Sequence, residues 1–130
     1  MVQIREYTWA EFDDDICKLS NKIKHLSIKR IYGNPRGGLP VAVALSHKTD
    51  IPITMFANET TGALWVDDIV DSGKQLNKAK EFNYLEYCCL LSRDTTQAIC
   101  SQVIKNNDWI VFPWEDKDKA KEDYESWLCQ

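Results

Sequence analysis

The stretch at residues 63–76, ALWVDDIVDSGKQL, constrains this chain more than any other. It begins with an uninterrupted apolar run, residues 63–66, which favours a central parallel strand covered on both faces. Asp67 and Asp68 follow at the carboxyl end of that strand, where ligands bind in open α/β sheets. Two adjacent carboxylates repel each other unless they hold a cation or sugar hydroxyls. The stretch therefore predicts an α/β fold with an acidic ligand site at the sheet edge.

A short turn follows the acid pair and opens a segment of helical periodicity at residues 74–82. Its residues are Asp71, Ser72, Gly73, Lys74 and Gln75. A glycine lets the backbone approach a ligand closely, and the free N–H groups at the start of a helix bind anions. Carboxylates for hydroxyls or a metal ion thus lie a few residues from donors for a phosphate. The succession of apolar strand, acid pair, third acid and Ser-Gly turn indicates a site for ribose 5-phosphate. The alternative, a solvated acidic turn, would account only for the acid pair.

A glycine-rich turn, GNPRGG at residues 33–38, lies between a β-favouring run at residues 28–32 and an apolar helix predicted at residues 39–47. A parallel sheet brings this turn to the same edge as Asp67. Arg36 offers a polyphosphate a planar guanidinium, and the neighbouring glycines offer bare N–H groups. A tight connection without a ligand is the alternative, but the arginine favours an anion site.

Residues 63–73 resemble the signature by which type I phosphoribosyltransferases bind phosphoribosyl pyrophosphate (PRPP). That signature is an apolar strand, two acids, two apolar residues, an acid, Thr or Ser, and Gly. The resemblance implies that Asp67 and Asp68 hold the ribose hydroxyls and bind Mg²⁺. It also implies that the turn at residues 71–75 surrounds the 5-phosphate, and that Asp71, near the base nitrogen, is the catalytic proton acceptor.

The glycine-rich turn and the C-terminal region are similar to the bacterial xanthine-guanine branch of this family, which acts on 6-oxopurines. The peptide bond before the basic residue of this turn is often cis in the family. The similarity implies that four residues hold pyrophosphate: Pro35, Arg36, Gly37 and Gly38. It implies that three residues contact the base by donation, stacking or backbone groups: Arg93, Trp109 and Ile110. The alternative is that Trp109 and Trp114 fill the core.

The chain departs from the family at two places. Gln75 stands where relatives usually present a threonine hydroxyl, and residues 57–63 form a short turn where relatives usually carry a long mobile loop. Because loop closure excludes water from the reacting centre, the short turn predicts slow transfer and partial loss of PRPP to water, unless the C-terminal segment or a second subunit supplies the cover. A terminal helix predicted at residues 116–130, with Tyr124, Trp127 and Leu128 on one side, is expected to act as a lid or a dimer contact.

Length and composition limit the fold and the partners. The 130 residues suit one domain, residues 1–130, in which residues 109–130 are the base-binding and lid segment. A net charge of −4 argues against nucleic acid or an anionic membrane as the main partner. No apolar run reaches the length of a membrane span and no secretory signal pattern opens the chain, so a cytoplasmic location is expected. Five cysteines without a CxxC pair are expected to be reduced, with Cys88 and Cys89 in the core.

The other segments complete a single α/β domain. A helix is predicted at residues 7–26, with Thr8 as its N-cap and Glu11 as the capping-box partner. The acids at residues 13–15 are expected to form a solvated face. Further strands are predicted at residues 51–56, 86–92 and 98–104. We therefore expect a mostly parallel sheet flanked by helices, the type I phosphoribosyltransferase fold with a shortened flexible loop.

The leading interpretation is a purine phosphoribosyltransferase that transfers 5-phosphoribose from PRPP to a 6-oxopurine base, releases pyrophosphate and uses Mg²⁺. The alternative is a non-catalytic phosphoribosyltransferase-like sensor or regulator that binds a nucleotide or PRPP. The short turn at residues 57–63 favours the sensor. Trp109 and Arg93 favour the enzyme, because a phosphate sensor needs no base pocket. A homodimer is the expected assembly.

Overall fold

The computed structural model describes residues 3–93 and 98–129 of the chain. The helices of this described part are α1 (Trp9–Ile23), α2 (Gly38–Thr49), α3 (Lys74–Lys80) and α4 (Lys117–Leu128). Its strands are β1 (Ile4–Glu6), β2 (Arg30–Gly33), β3 (Ile53–Thr54), β4 (Ala63–Val70), β5 (Glu86–Ser92), β6 (Ile99–Val103) and β7 (Trp109–Val111). Gln130, the last residue of the predicted terminal helix, lies outside the described residues.

β4 lies at the centre of a five-stranded sheet whose order is β3-β2-β4-β5-β6. Each neighbouring pair in this sheet is parallel, so the carboxyl ends of the strands meet at one edge. The predicted α/β domain with a mostly parallel sheet between helices is confirmed. β1, which is not among the predicted strands, forms a separate parallel pair with β7.

The apolar run at the start of β4 is buried on both faces, as a central parallel strand requires. Leu64 and Val66 pack into a core with α1 and α2, whereas Ala63 and Trp65 pack into a second cluster with α3. The strand is longer than predicted, because it continues through the acid pair to Val70. The central strand therefore carries both carboxylates on the sheet itself.

α1 begins where its cap predicts. The Thr8 hydroxyl oxygen accepts a hydrogen bond from the Glu11 N–H at 3.1 Å, and the helix starts at the next residue, Trp9. It ends at Ile23, and the Leu26 N–H then donates to the Ile23 carbonyl oxygen in a tight turn. The predicted helix was therefore too long by one turn at its carboxyl end.

The acids at residues 13–15 do not all form a solvated face. Asp13 and Asp14 are exposed, but Asp15 is completely buried between α1 and β6. Its carboxylate accepts hydrogen bonds from the Tyr7 hydroxyl, the Ser101 hydroxyl and the Gln102 side-chain amide. Burial and the bond to this carboxylate raise the pKa of Tyr7. Asp15 is therefore a structural acceptor that joins α1 to β6, and the prediction for it was wrong.

Two other predictions concern β3 and the cysteines. β3 contains only Ile53 and Thr54, since Met55 and Phe56 leave the sheet and are 69% and 63% exposed. The described cysteine thiols form no disulfide, and both thiols in β5 are completely buried. Burial raises the pKa of the Cys88 thiol to about 12.

None of the described helices is both long and apolar enough to span a membrane.

Candidate functional site

The glycine-rich turn lies against the carboxyl end of β4, as its position after β2 predicts. The Asn34 N–H donates to the Val66 carbonyl oxygen at 2.9 Å. A Cβ atom at Gly37 would lie 2.0 Å from Asp68 Oδ2, and a Cβ atom at Gly38 would lie 2.4 Å from the Val66 carbonyl oxygen. Only glycine therefore allows the turn to approach the acid pair this closely.

The acid pair is held in place by neighbouring donors. The Asn34 side-chain amide donates to Asp67 Oδ2 at 3.1 Å, and the Asp68 N–H donates to Asp67 Oδ1 at 2.9 Å. The Ile69 N–H donates to Asp68 Oδ1 at 2.7 Å. Burial raises the pKa of Asp67, and burial together with the charge of Asp67 raises the pKa of Asp68 to about 7. Such a pair gains stabilisation from a bound cation or from hydroxyl donors.

A cavity of about 230 Å³ lies beside the pair, at the start of α3. Gly73 has φ of +82° there, a left-handed conformation that favours glycine, and the Lys74 N–H donates to the Ser72 hydroxyl oxygen at 3.4 Å. Each residue predicted for the ribose-phosphate site, apart from Asp68, lines this cavity: Asp67, Asp71, Ser72, Gly73, Lys74 and Gln75.

A larger cavity of about 520 Å³ lies on the other side of the pair. Arg36 and Gly37 of the glycine-rich turn form one wall together with Asp68. The peptide bond between Pro35 and Arg36 is cis. The facing wall comes from the end of the chain, through Trp114, Glu115, Asp116, Lys119, Ala120 and Asp123.

A third cavity, of about 90 Å³, joins the predicted catalytic acid to the predicted base-binding residues. It is lined by Asp71, Arg93, Asn107, Asp108, Trp109 and Trp127. Asp71 belongs to both this cavity and the 230 Å³ cavity, while the adjacent Asp67 and Asp68 line the 230 Å³ and the 520 Å³ cavity respectively. The acids of β4 and the following turn therefore connect all three cavities at one sheet edge.

Three of the predicted site residues line none of these cavities. Pro35 and Gly38 flank the lining residues of the glycine-rich turn, and Gly38 serves mainly to bring the turn against β4. The Ile110 side chain packs against the main core, so that any contact with a base would come from its backbone.

Solved structures with similar folds include three whose chains are covered almost completely. The purine phosphoribosyltransferase from Pyrococcus horikoshii Ot3 matches with a TM-score of 0.71 and 27% identity over 89% of this chain and 96% of that chain. The chain has the type I phosphoribosyltransferase fold. The xanthine-guanine-hypoxanthine phosphoribosyltransferase of Helicobacter pylori matches with a TM-score of 0.66 and 19% identity over 93% of this chain and 99% of that chain.

A hypothetical protein from Neisseria gonorrhoeae with bound ppGpp matches with a TM-score of 0.69 and 17% identity over 97% of this chain and 98% of that chain. No protein-family model and no curated protein sequence matches the chain. The structural similarity therefore extends over nearly the whole chain, and the predicted resemblance to the purine and xanthine-guanine phosphoribosyltransferases is confirmed at the level of the fold.

Within this phosphoribosyltransferase fold, Arg93 holds the predicted catalytic acid. Its Nε donates to Asp71 Oδ1 at 2.9 Å, and its two terminal nitrogens donate to the backbone carbonyl oxygens of Asn106 and Asp108. The guanidinium therefore fixes Asp71 relative to the segment that leads into β7. Arginine has five N–H donors, of which three make these bonds within the described residues.

Trp109 lies at the start of β7, outside the two buried clusters. Its described ring contacts come from α4, with Tyr124 at 5.9 Å and Trp127 at 5.4 Å between ring centroids. Trp114, by contrast, packs against the main core and stacks on Phe112 at 4.9 Å. The core interpretation therefore suits Trp114, whereas Trp109 faces the site and the terminal helix.

The short connection between β3 and β4 does not reach the site. The Tyr84 hydroxyl donates to the Ala57 carbonyl oxygen at 2.7 Å, and the Thr54 hydroxyl donates to Glu59 Oε2 at 3.0 Å. None of residues 57–62 lines any of the three cavities. The phosphoribosyltransferase fold of this chain therefore lacks a cover from this connection, as its length predicts.

Among the residues that the fold brings to the site, Asn34, Glu115 and Lys119 were not singled out from the sequence. Asn34 is the donor to Asp67, and its position beside the glycine-rich turn was the available signal. Glu115 accepts from the Phe112 N–H at 2.9 Å, and burial raises its pKa. Lys119 comes from α4, whose docking position has no local sequence signal. Trp127 was predicted to belong to a lid or a dimer contact, but its place in the 90 Å³ cavity was not predicted.

Proposed function

We propose that this protein is a purine phosphoribosyltransferase that transfers 5-phosphoribose from PRPP to a 6-oxopurine base and releases pyrophosphate. The observation that carries the proposal is the meeting of three separately predicted groups at one sheet edge: the acid pair, the phosphate turn and the arginine of the glycine-rich turn. Solved structures of the same fold include purine and orotate phosphoribosyltransferases, which supports transfer of a phosphoribosyl group.

The proposed binding mode follows the three cavities. The 5-phosphate enters the 230 Å³ cavity, where the backbone N–H groups of residues 72–75 serve as donors. The pyrophosphate enters the 520 Å³ cavity beside Arg36. The ribose lies between them, with its hydroxyls on Asp67 and Asp68. The base enters beside Trp109, in the 90 Å³ cavity that Asp71 shares.

The acid pair suits Mg²⁺ as a cofactor. Mg²⁺ in proteins is commonly held by one or two carboxylates together with substrate phosphates and water. Asp67 is buried and Asp68 partly buried; burial raises the pKa of both carboxyl groups, and the charge of Asp67 further raises the pKa of Asp68. The bound ion would supply positive charge that stabilises the leaving pyrophosphate.

The residues of the chain then have distinct roles in the reaction. A base nitrogen forms a bond to C1 of the ribose while the bond from C1 to the pyrophosphate oxygen breaks, so that positive charge develops on the sugar and negative charge on the leaving group. Arg36 stabilises that negative charge. Asp71 accepts the proton from the base nitrogen, and its ion pair with Arg93 keeps the carboxylate oriented toward the base.

The first experiment measures transfer directly. The protein is incubated with Mg²⁺, PRPP and either guanine, xanthine or hypoxanthine, and both the nucleoside monophosphate and the pyrophosphate are quantified. Formation of the two products in equal amounts is the expected result. Tight binding of PRPP without turnover of any base would instead favour the non-catalytic sensor, an alternative that the uncovered site supports.

The second experiment tests the acid pair. Asp67→Asn combined with Asp68→Asn should weaken Mg²⁺-dependent PRPP binding by about 10-fold or more, because charge-assisted contacts contribute roughly 1.5–3 kcal/mol. Asp14→Asn, an exposed position on α1, is the matched control. Unchanged affinity of the folded double variant by calorimetry would contradict the proposed site. The expected homodimer can be checked on the same samples by light scattering.

A further inference from the structure

α4 extends across two of the three cavities. Near its start, Lys119, Ala120 and Asp123 line the 520 Å³ cavity, and near its end Trp127 lines the 90 Å³ cavity. These positions follow the spacing of one helix face, so a single face of α4 is turned toward the site. Any movement of the helix would change both cavities.

The two ends of α4 are held in different ways. At its start, the Asp116 side chain accepts a hydrogen bond from the Lys119 N–H at 2.9 Å, and Ala120 is the buried residue of the helix. At its end, Trp127 is 38% exposed and contacts the Trp109 ring with a centroid distance of 5.4 Å and an interplanar angle of 38°. The start is therefore anchored by a cap and a buried side chain, and the last turns meet the site through aromatic side chains.

Those aromatic contacts use the residue that the proposed function assigns to the base. Tyr124 also reaches the Trp109 ring, at a centroid distance of 5.9 Å. The cavity beside Trp109 measures about 90 Å³. A cavity of about 150 Å³ is known to accept a benzene molecule, and a purine is larger than benzene. A purine stacked on the Trp109 face that Trp127 contacts would need more room than this cavity provides, so the end of α4 would have to move.

We propose that Trp127 is a lid residue that competes with the purine base for the Trp109 ring. In the unliganded protein it covers the stacking surface, and the base displaces it when it binds. The inference rests on the proposed function, since it concerns the base pocket of that site. Because the two states differ in which group occupies the Trp109 ring, base binding and the position of the last α4 turns are thermodynamically coupled.

Calorimetry with two ligands separates this inference from the proposed function. Guanosine 5′-monophosphate carries the base, and ribose 5-phosphate lacks it. Trp127→Ala should bind the nucleotide about 3- to 10-fold more tightly than the wild type, since the competing aromatic contact is removed, and should bind ribose 5-phosphate equally. Leu128→Ala, the adjacent residue that is 53% exposed, is the matched control and should change neither affinity.

The direction in which Trp127→Ala changes nucleotide affinity tests whether Trp127 is a lid. Unchanged nucleotide affinity in Trp127→Ala would show that Trp127 does not affect base binding. Lower nucleotide affinity would show that Trp127 contacts the bound base. Either result would contradict the role of Trp127 as a lid. Ribose 5-phosphate that fails to bind the wild type, together with no transfer of any base, would overturn the proposed function and the lid with it. Binding of ribose 5-phosphate with an unchanged nucleotide affinity in the variant overturns the lid alone.

A second measurement uses the unaltered protein. Hydrogen exchange of the amides at residues 124–129 should become faster when guanosine 5′-monophosphate is added, because the last turns lose their contact with Trp109. Ribose 5-phosphate should leave that exchange unchanged. Slower exchange with the nucleotide would show that α4 closes on the base and would overturn the competition.

Discussion

Replacing Asp68 with asparagine should stabilise the folded protein at neutral and alkaline pH. Burial and the charge of Asp67 raise the pKa of Asp68 to about 7. Asp68 Oδ1 accepts a hydrogen bond from the Ile69 N–H, and an asparagine side-chain oxygen can accept the same bond. The substitution therefore removes the charge that burial disfavours and keeps the local hydrogen bond.

The direction of the pH dependence follows from the raised pKa. An unfolded aspartate loses its proton near pH of about 3.9, whereas folded Asp68 keeps its proton until about pH 7. As the pH rises between these values, the unfolded state binds fewer protons, so the wild type loses stability. The asparagine of the variant does not titrate and has no such transition. The advantage of the variant should therefore be absent below about pH 4, grow through this window and be complete above about pH 7.

The shift in pKa also bounds the size of the effect. A shift of roughly three units at about 1.36 kcal/mol per unit gives a ceiling of about 4 kcal/mol. Asp68 lines the open 520 Å³ cavity, and its titration is shared with Asp67. Solvent screening and this sharing reduce the expected gain to about 1–2 kcal/mol at pH 8.

Urea denaturation of the wild type and of Asp68→Asn at about pH 4.5 and pH 8 tests the prediction. Asp14→Asn is the control, because Asp14 is exposed on α1. A gain at the higher pH that shrinks at the lower pH, with an unchanged slope, is the expected result. Equal stabilities at pH 8, or a difference that does not depend on pH, would refute the reasoning from burial.

Three further substitutions test other contacts. Gly37→Ala should weaken PRPP binding by about 10-fold or more, since the new methyl group would lie 2.0 Å from Asp68 Oδ2. An unchanged PRPP affinity by calorimetry would contradict this prediction. Arg93→Lys should raise the KM for the base by roughly 10-fold, because the single nitrogen of a lysine cannot replace three guanidinium nitrogens that reach Asp71 and two separate carbonyl oxygens. An unchanged KM would count against this bridge. Asp15→Ala should lower the free energy of unfolding by about 3–5 kcal/mol in urea denaturation, and a loss below about 1 kcal/mol would contradict its role as a buried acceptor.

The central strand and the site edge could be predicted because their signals are local. The apolar run at the start of β4 indicates burial on both faces, and the rule for parallel sheets then places Asp67 and Asp68 at the ligand edge. The glycine-rich turn follows the neighbouring strand, so the same rule brings it to the acid pair. The close approach at Gly37 confirms the juxtaposition.

Features that depend on distant partners could not be predicted in this way. β1 is a three-residue strand of mixed exposure, and its partner β7 is more than one hundred residues away in the chain, with Ile4 opposite Trp109. Asp15 lies in a run of acids that suggests a solvated face. It is buried because Ser101 and Gln102 arrive from β6 to donate to it.

For the terminal helix, the sequence predicted which side chains pack together but not the surface that they contact. Its pattern placed Tyr124, Trp127 and Leu128 on one side, but the pattern contains no information about the surface that this side meets. In the fold Tyr124 and Trp127 reach the Trp109 ring, and Leu128 remains 53% exposed. Amphipathic spacing therefore identified a packing face but not its partner.

The position of α4 bears on how the proposed reaction would avoid water. In the proposed binding mode the pyrophosphate and the base share C1 of the ribose, and α4 lines the cavities assigned to these two groups but not the 5-phosphate cavity. Residues 57–62 line none of them. Water must be excluded at C1, where positive charge develops, rather than at the distant 5-phosphate. Of the part of the chain that the structure describes, α4 is thus the element placed to act at the reacting carbon. In the proposed competition Trp127 covers the base cavity only until the base binds. Exclusion of water at C1 during transfer would therefore depend on the anchored start of α4, where Lys119, Ala120 and Asp123 line the 520 Å³ cavity.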